Sequence, residues 1–496
     1  MASTVAGAAT PHSARLESEE IALDDLVIAE FDGEEETSRP FRFDIVLRPV
    51  DPRNPTTHDP SEMVGAGVSL VLSDREGLEI RRIQGEIRQA RVSVDGSARA
   101  GGAGNRPSAL YRLEVVPRLK RLDLLKTQEI FMNMSIPEII TDKIGRMGLD
   151  YLVLRLAGTY PKREFVVQYK ESDLAFVMRL AEHVGLSFHF EQGQEHEQLV
   201  ITDQVSSTLD LRNQPAQFGP REDRAHVHEL SLQCQTAPAV FAVQDYNYRH
   251  PRLDLGVYHE LESGSGGVIE YGTHHKTPEE AEHLARVRAE ESLAARRVFE
   301  GEGITGFFTA GARIKVEEAP LGPGEMLLTR VRHHMRTTAG GLAEGEVGYQ
   351  NSFSAVTTER PYRPVRATPK PRIDGVLTGI VQADPTSQGL EAKLDDEGRY
   401  VVQFHFDTTD RGQTKTSRPV RMAQPFAGPN QGMHFPLTPD TEVVIAFVDG
   451  DPDRPIIIGA VPNTVTPTTV TAADAHMHRV QSRHGILVEF GRLVRS

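Results

Sequence analysis

Between Arg418 and Asn463 the sequence permits few conformations. Val443, Ile445 and Phe447 alternate with Val444, Ala446 and Val448, so both faces of one extended segment are apolar, as in a strand buried on both sides. An acidic turn, Asp449-Gly450-Asp451-Pro452-Asp453-Arg454-Pro455, follows at once. Gly450 supplies positive φ, the prolines fix φ, and the aspartates bond back to turn amides. Ile456-Ile457-Ile458 returns as the next strand, with Gly459 marking its end. The run reads as a compact set of β-strands.

Upstream, the period of two recurs. Phe41, Phe43, Ile45 and Leu47 alternate with Arg42, Asp44, Val46 and Arg48, the pattern of a half-buried strand. Val68–Leu72, Ile83–Ile87 and Tyr111–Val116 repeat it, with Gly, Pro and Asp between them. Closing these strands into a first β-barrel removes their edges. The small residues from Asp95 to Asn105 read as a flexible hairpin loop.

The period then changes to that of helices. Ser135-Ile136-Pro137-Glu138 has the form of a capping box, and Ile136, Ile139, Ile140 and Ile144 predict a helix ending near Gly145 or Gly148. A second helix follows Gln168-Tyr169-Lys170-Glu171-Ser172-Asp173, stopped by Gly185 and succeeded by a strand over Leu186–Phe190. A third starts at Thr277-Pro278-Glu279-Glu280, its narrow stripe formed by Ala281, Leu284, Ala285, Ala289 and Leu293. Arg313–Val316, Met326–Val331 and Tyr349–Phe353 imply a second barrel. Pro361, Pro364, Pro369 and Pro371 make residues 358–373 a stiff extended linker. Beyond it Val376, Val381, Tyr400, Val402, Phe404 and Phe406 supply strand residues.

Composition removes several function classes. Cys234 is alone, so neither an intrachain disulfide nor a cysteine zinc site can form, which fits a reducing cytoplasm. Residues 1–20 lack the basic start and apolar core of a signal peptide. No run approaches the roughly 20 apolar residues of a membrane helix. A net charge of -15 argues against a nucleic-acid partner. The length of 496 residues accommodates about three domains.

Several motifs have both a chemical and a structural reading. Asp449, Asp451 and Asp453 match the first ligands of a calcium loop, but Arg454 stands at its glycine position and Ala460 at its glutamate position; a turn in which Arg454 pairs with a carboxylate is favoured. Gly301-x-Gly303-x-x-Gly306 satisfies a dinucleotide pattern after a helix instead of before one, so a loop is favoured. Glu171 and Asp173 could serve as a glycosidase pair, yet at a helix start they read as caps. The pairs His226 and His228, His274 and His275, His333 and His334, and His476 and His478 lack the helical spacing and glutamate of a zinc hydrolase. They read as strand or loop histidines, with room for an intersubunit site. Cys234 reads as buried core.

Two blocks carry a resemblance. Arg421-Met422-Ala423-Gln424-Pro425-Phe426-Ala427-Gly428, Gly432-Met433-His434-Phe435-Pro436, the Glu442-Val443-Val444 strand and the acidic turn are similar to the oligomer-binding (OB) domain of the VgrG spike family. Those are the tip proteins of type VI secretion and related contractile injection machines, akin to a phage baseplate hub fused to its spike. Phe426 stands where that family usually has Trp and keeps an aromatic packing residue. The Tyr169-x-Glu171-Ser172-Asp173 helix resembles the hub, and Ser482–Phe490 resembles the first rung of the family's β-helical needle.

The resemblance implies a mainly β fold with two hub barrels, inserted helices, an OB barrel and the start of a trimeric needle. The divisions are a flexible tail 1–20, a first hub barrel 21–130, an α/β insert 131–200, and a second hub barrel 201–357 carrying a helix 278–299. A linker 358–373, an OB domain 374–463 and the needle start 464–496 complete the chain, with Val465–Val470 as a β-favouring spacer. Implied partners are two further copies of the chain, a hexameric tube protein, baseplate proteins, a sharp-tip protein at the needle end and effector cargo. The implied protein is assembled in the cytoplasm and ejected with no signal peptide. No catalytic, cofactor or metal residue is expected. Two alternatives compete: a spike-borne cell-wall hydrolase or effector, for whose extra domain the sequence leaves no room, and an OB-fold nucleic-acid binder, which 6% aromatics and a negative charge disfavour.

Overall fold

In the computed structural model the alternating segments are strands. It describes residues 10–51, 58–95, 108–149, 151–193, 195–220, 226–322, 324–337, 348–387, 391–407 and 419–490. Six strands open the chain: β1 (Ser13–Glu17), β2 (Leu26–Glu36), β3 (Arg42–Pro49), β4 (Gly67–Ser73), β5 (Glu79–Asp95) and β6 (Ser108–Val116), with a one-turn helix α1 (Pro60–Met63) after β3. Next come β7 (Lys126–Phe131), α2 (Ile136–Gly145), β8 (Leu152–Arg155), β9 (Val166–Ser172), α3 (Asp173–His183), β10 (Ser187–Gln192) and β11 (Glu197–Thr202). Then β12 (Leu209–Asp210), β13 (Ala216–Phe218), β14 (His226–Cys234), β15 (Val240–Gln244), β16 (Val257–Glu260) and β17 (Gly267–Tyr271) lead to α4 (Pro278–Arg296). That helix runs into β18 (Arg297–Gly303), β19 (Ala312–Glu317), β20 (Glu325–Arg336) and β21 (Tyr349–Thr357). The last strands are β22 (Leu377–Val381), β23 (Val402–Phe404), β24 (Arg421–Met422), β25 (Ala427–Gly428), β26 (Gln431–Gly432), β27 (Glu442–Phe447), β28 (Pro455–Val461), β29 (His478–Gln481) and β30 (Leu487–Phe490).

Contacts group the chain into two units, the first comprising Met1–Leu124, Ile140–Tyr160 and Val177–Pro369. Its two expected barrels are one continuous 13-stranded sheet in the order β1-β4-β5-β6-β3-β2-β20-β21-β18-β14-β13-β19-β12. A further pairing of β19 with β20 closes the second half into a ring. In the first half Phe43, Ile45 and Leu47 bury their side chains as the alternation requires, with Leu70, Ile83, Ile87 and Leu113. The halves join where β2 pairs antiparallel with β20, Gly33 facing His333 at the centre. This seam has local two-fold symmetry. The β2–β3 and β20–β21 ladders each skip one residue, Ala29 and Thr329. Thr37 N–H donates to Thr329 C=O and Thr337 N–H to Ala29 C=O, both at 2.8 Å.

The second unit comprises Leu125–Ile139, Pro161–Phe176 and Lys370–Ser496. Its five-stranded sheet runs β23-β22-β27-β28-β24. Val443, Ile445 and Phe447 on β27 are buried, with Tyr400, Val402, Phe404 and Ile457. The other face of β27 is less covered than expected: Val444 and Ala446 are half-buried and Val448 is exposed, because a barrel shelters only its inner face. Strand β28 continues past Gly459 to Val461. Phe165, Val167 and Tyr169, placed by sequence in a separate insert 131–200, belong to this same core, so that insert is shared between the units.

Helix ends follow local chemistry. At α2 the Ser135 N–H donates to Glu138 Oε2 at 2.7 Å while Glu138 N–H donates to Ser135 Oγ at 3.4 Å, the reciprocal capping box. α3 ends in a Schellman turn, with Leu186 N–H on Ala181 C=O at 2.9 Å and Gly185 at a φ of 74°. Thr277 caps α4, which stops at Arg296 instead of 299 because Arg297 turns extended to enter β18. The tail read over 1–20 contains β1, whose Ser-Ala-Arg-Leu-Glu pairs with β4 despite its weak apolar signal. The linker is anchored and does not act as a free spacer: Arg363 pairs with Glu290 at 2.7 Å and Arg366 with Glu291 at 3.0 Å on α4. Val465–Val470 forms no strand; Asn463 Oδ1 turns it by accepting the Val465 and Thr466 N–H groups. Residues 1–9 and the loop read over 96–105 lie outside the described residues.

Candidate functional site

The seam presents charges on both faces of the sheet. On the outer face Glu34 faces Arg42 on β3 and Arg332 on β20. Arg330 reaches Glu36 at 2.6 Å, Arg332 reaches Glu34 at 3.2 Å, and His334 Nδ1 lies 2.8 Å from Asp32 Oδ1. Asp32, Glu34, Arg42, Arg332 and His334 line a valley of about 580 Å³ that also receives Asp44, His228 and Glu302. Glu30, Asp32 and His334 bring one donor atom each within 4.8 Å of one another, a set that could hold a cation.

The inner face holds a buried polar cluster. Glu35 shares the parity of Phe31 and points inward. It accepts from Thr309 Oγ1 at 2.6 Å, pairs with Arg81 at 2.7 Å, and lies 2.8 Å from His333 Nε2. His333 Nδ1 meets the Tyr349 hydroxyl at 2.6 Å. Burial alone would raise the Glu35 carboxyl, but the Arg81 charge and the His333 hydrogen bond hold it down to about 2. Burial keeps His333 below its ordinary value and so neutral, with Nε2–H donating to Glu35 and Nδ1 accepting from Tyr349. Sequence reasoning passed over Glu35, Arg81 and Thr309. The available signal was parity, since an acid in step with Phe31 must enter the core.

The residues singled out by sequence are scattered. His226 is buried and His228 exposed on β14. His275 is a satisfied core histidine between Thr273 Oγ1 and Leu255 C=O, each 2.7 Å away. His274 donates its N–H to Asp245 at 2.6 Å, and His476 and His478 are exposed. Gly301 and Gly303 lie in strand β18 and not in a loop. A Cβ at Gly301 would stand 2.5 Å from the Phe353 ring, so glycine serves packing there. Glu171 is the penultimate residue of β9 and Asp173 begins α3, yet the cap is Ser172, whose Oγ accepts from Ala175 N–H at 3.2 Å. Asp173 instead accepts from Thr127 and Gln168 at 2.8 and 2.7 Å. Cys234 is exposed, not buried, because it is the last residue of β14, although it shares the parity of the half-buried Leu230 and Leu232.

In the second unit the aspartate turn is held by protein cations. Lys370 reaches Asp451 at 2.7 Å and Asp453 at 2.8 Å, while Arg372 reaches Asp449 at 3.2 Å. The expected Arg454 pairing exists but is long, 3.8 Å to Asp451. Asp453 Oδ1 also accepts the Val167 N–H at 2.7 Å. Asp449 adopts a φ of 55° beside Gly450.

Apolar residues crowd the surface of this unit. Phe426, expected to pack, is exposed with Met433 and Phe435 around the β25–β26 hairpin. The β29–β30 hairpin pairs Val480 with Val488 and His478 with Phe490 on one face, and Arg479 with Glu489 on the other. The charged face is internally satisfied by an ion pair at 2.6 Å. The apolar face is not covered: Val480, Val488 and Phe490 are 48%, 42% and 63% exposed.

Residues 34–339 match the phage tail baseplate hub (GPD) family, and residues 390–461 match the type VI secretion system/phage-baseplate injector OB domain. The type VI secretion system spike protein VgrG4b of Pseudomonas aeruginosa is 28% identical over 474 residues, covering 89% of this chain and 55% of that protein. VgrG3 of Vibrio cholerae is 27% identical over 405 residues, covering 78% of this chain and 38% of that protein. The chain thus spans about half the length, or less, of these relatives. Among solved structures, the E. coli c3393 protein, described as a type VI secretion component similar to T4 tail proteins gp27 and gp5, superposes with a TM-score of 0.62 at 22% identity, covering 90% of this chain and 100% of that one. The Francisella PdpA-VgrG complex in its lidded form gives 0.60 at 8% identity, covering 94% and 72%. A hub sheet joined at a two-fold seam and an injector OB barrel lie in one polypeptide, and the chain belongs to the phage tail baseplate hub family in the form carried by VgrG spike proteins.

Proposed function

We propose that the chain is a structural hub and spike component of a contractile injection machine that works as a homotrimer. The observation that carries this reading is the uncovered apolar face of the β29–β30 hairpin. A two-stranded hairpin is marginal in water unless an apolar face is covered. Three copies meeting on Val480, Val488 and Phe490 around one axis cover that face and leave Arg479 and Glu489 outside. The exposed Phe426, Met433 and Phe435 supply further contact area in the same unit. Obligate interfaces of this kind bury upwards of roughly 2,000 Å² and resemble a divided core.

Three chains bring six barrel halves around the axis, a face suited to a hexameric tube ring. Baseplate proteins, a sharp-tip protein beyond the hairpin and effector cargo are the further partners of this reading. No described helix is long and apolar enough to cross a membrane, and export rests on ejection by the machine, following cytoplasmic assembly. In this reading the action is mechanical and needs no active site: Glu171 lies in β9, and Asp173 at the start of α3 accepts from Thr127 and Gln168. Sedimentation equilibrium tests the reading. A mass of three chains at micromolar concentration is expected, and a stable folded monomer there would overturn it.

A further inference from the structure

We propose that Glu30, Asp32 and His334 form a binding site for a divalent transition ion, Zn²⁺ in the first instance, that staples β2 to β20 across the seam. Glu30 and Asp32 occupy alternate positions of β2 on one face, and His334 stands directly opposite Asp32 on β20. Their donor atoms lie within 4.8 Å of one another, and closing to the separations of a metal shell needs only side-chain rotation. All three are carried by a hydrogen-bonded ladder, so the backbone is already in place.

The electrostatics of the position is an independent pointer to a cation. Across β2 and β3 Asp32 faces Asp44, and like charges directly opposite are unfavourable. Asp44 is neutralised by Arg42 at 2.8 Å. Among the described residues Asp32 has only the imidazole of His334 at 2.8 Å. Glu30 has Arg336 directly opposite in register, yet no ion pair joins them among the described residues. Its carboxylate converges instead on a second carboxylate. Two carboxylates drawn together beside an arginine that, among the described residues, pairs with neither is the arrangement a bound dication relieves.

The donor set selects the ion. Imidazole nitrogen with two carboxylate oxygens suits Zn²⁺, whereas Mg²⁺ and Ca²⁺ favour all-oxygen shells. Three protein ligands leave one tetrahedral position open, and it opens on the valley lined by Glu34, Arg332 and Glu302. Water fills that position. Binding does not depend on the trimer, because every ligand comes from one chain.

Calorimetric titration of the full chain with Zn²⁺, Mg²⁺ and Ca²⁺ tests the site, alongside E30Q and H334N. Both substitutions fall on partly or largely exposed side chains, and circular dichroism verifies the fold. Zn²⁺ is expected to bind one ion per chain at this site and at least about tenfold more weakly in each variant, by analogy with the loss of a ligand-shell group. Co²⁺ in place of Zn²⁺ should show visible absorption bands that H334N abolishes. Unchanged Zn²⁺ affinity in both variants, Co²⁺ bands surviving in H334N, or Mg²⁺ binding as tightly as Zn²⁺ would each overturn the assignment.

Discussion

His333 Nε2 lies 2.8 Å from Glu35 Oε1, and this pair ties the two halves of the hub sheet together from inside. Glu35 comes from β2 and His333 from β20, while Arg81 on β5 and Tyr349 on β21 complete the cluster. Removing the Glu35 charge leaves the buried Arg81 guanidinium without its counter-ion. Glu35→Gln should cost about 3–5 kcal/mol, the usual penalty for breaking a buried pair. Urea unfolding followed by near-ultraviolet dichroism checks this. A loss below about 1 kcal/mol, the scale of a surface pair, would show that the cluster does not hold the seam.

The same cluster makes the hub acid-sensitive. The folded Glu35 carboxyl sits at about 2, below its ordinary 4.5, so its contribution is complete above 4.5 and lost as pH falls towards 2. The folded His333 is also depressed, below 6.5, so the unfolded chain takes up a proton first and stability falls once pH drops under that value. Melting temperature should therefore hold between pH 7 and 8 and decline below about 6.5. In Glu35→Gln the part of the decline below pH 4.5 should flatten.

Glycine at the centre of the seam is a packing requirement. The Phe43 ring lies against Gly33 in the space a Cβ would occupy, and it stacks on His333 with centroids 5.7 Å apart. Gly33→Ala must displace that ring, and overpacking of this kind costs about 1–3 kcal/mol. Gly145, with nothing near its missing Cβ, is the control. Differential scanning calorimetry should place Gly33→Ala several degrees below Gly145→Ala, and equal melting temperatures would sink the explanation.

Local signals were read well because each has a short-range cause. The Ser135 box, the Gly185 stop and the inward set of Phe43, Ile45 and Leu47 depend on neighbours a few residues away. Partners distant in sequence were not legible. Nothing near Lys370 announces that it neutralises Asp451 and Asp453, and nothing near Phe165 assigns it to the core of Tyr400 and Ile445. The joining of the barrels was equally hidden, since the β2–β20 ladder links segments about 300 residues apart through charges, Glu34 to Arg332 and Glu36 to Arg330, that resemble any solvated face. Gly301 was misplaced because residue type was weighed without its parity with Phe299, and Cys234 because its place at the very end of β14 takes it out of the core that Leu230 and Leu232 reach.

The aspartate turn of the OB unit should behave as a structural lock indifferent to calcium. Asp453 is buried, accepts the Val167 N–H at 2.7 Å and holds Lys370. Asp453→Ala orphans that N–H, at about 1–3 kcal/mol. Asp449→Ala, on an exposed side chain, should cost less. Chemical denaturation of both variants, with and without millimolar calcium, checks the order. A calcium-dependent rise in wild-type stability that Asp453→Ala abolishes would restore the ligand reading.

The two faces of the β29–β30 hairpin give opposite expectations for assembly. Val488 lies opposite Val480 on the uncovered apolar face, whereas Arg479 and Glu489 satisfy each other on the other face. Val488→Asp puts three carboxylates around a trimer axis, where burial of unpaired charge is costly. Arg479→Gln removes ion pairs to Glu489 and Asp474 that lie on the face turned away from the axis, where solvent screens charge. Light scattering after gel filtration should find Val488→Asp shifted towards the mass of one chain at low micromolar concentration and Arg479→Gln still trimeric. The hub unit should melt unchanged in both if its stability comes from the seam, which separates failure of assembly from failure to fold. A trimer that survives Val488→Asp but not Arg479→Gln would invert the hairpin and place its charged face on the axis.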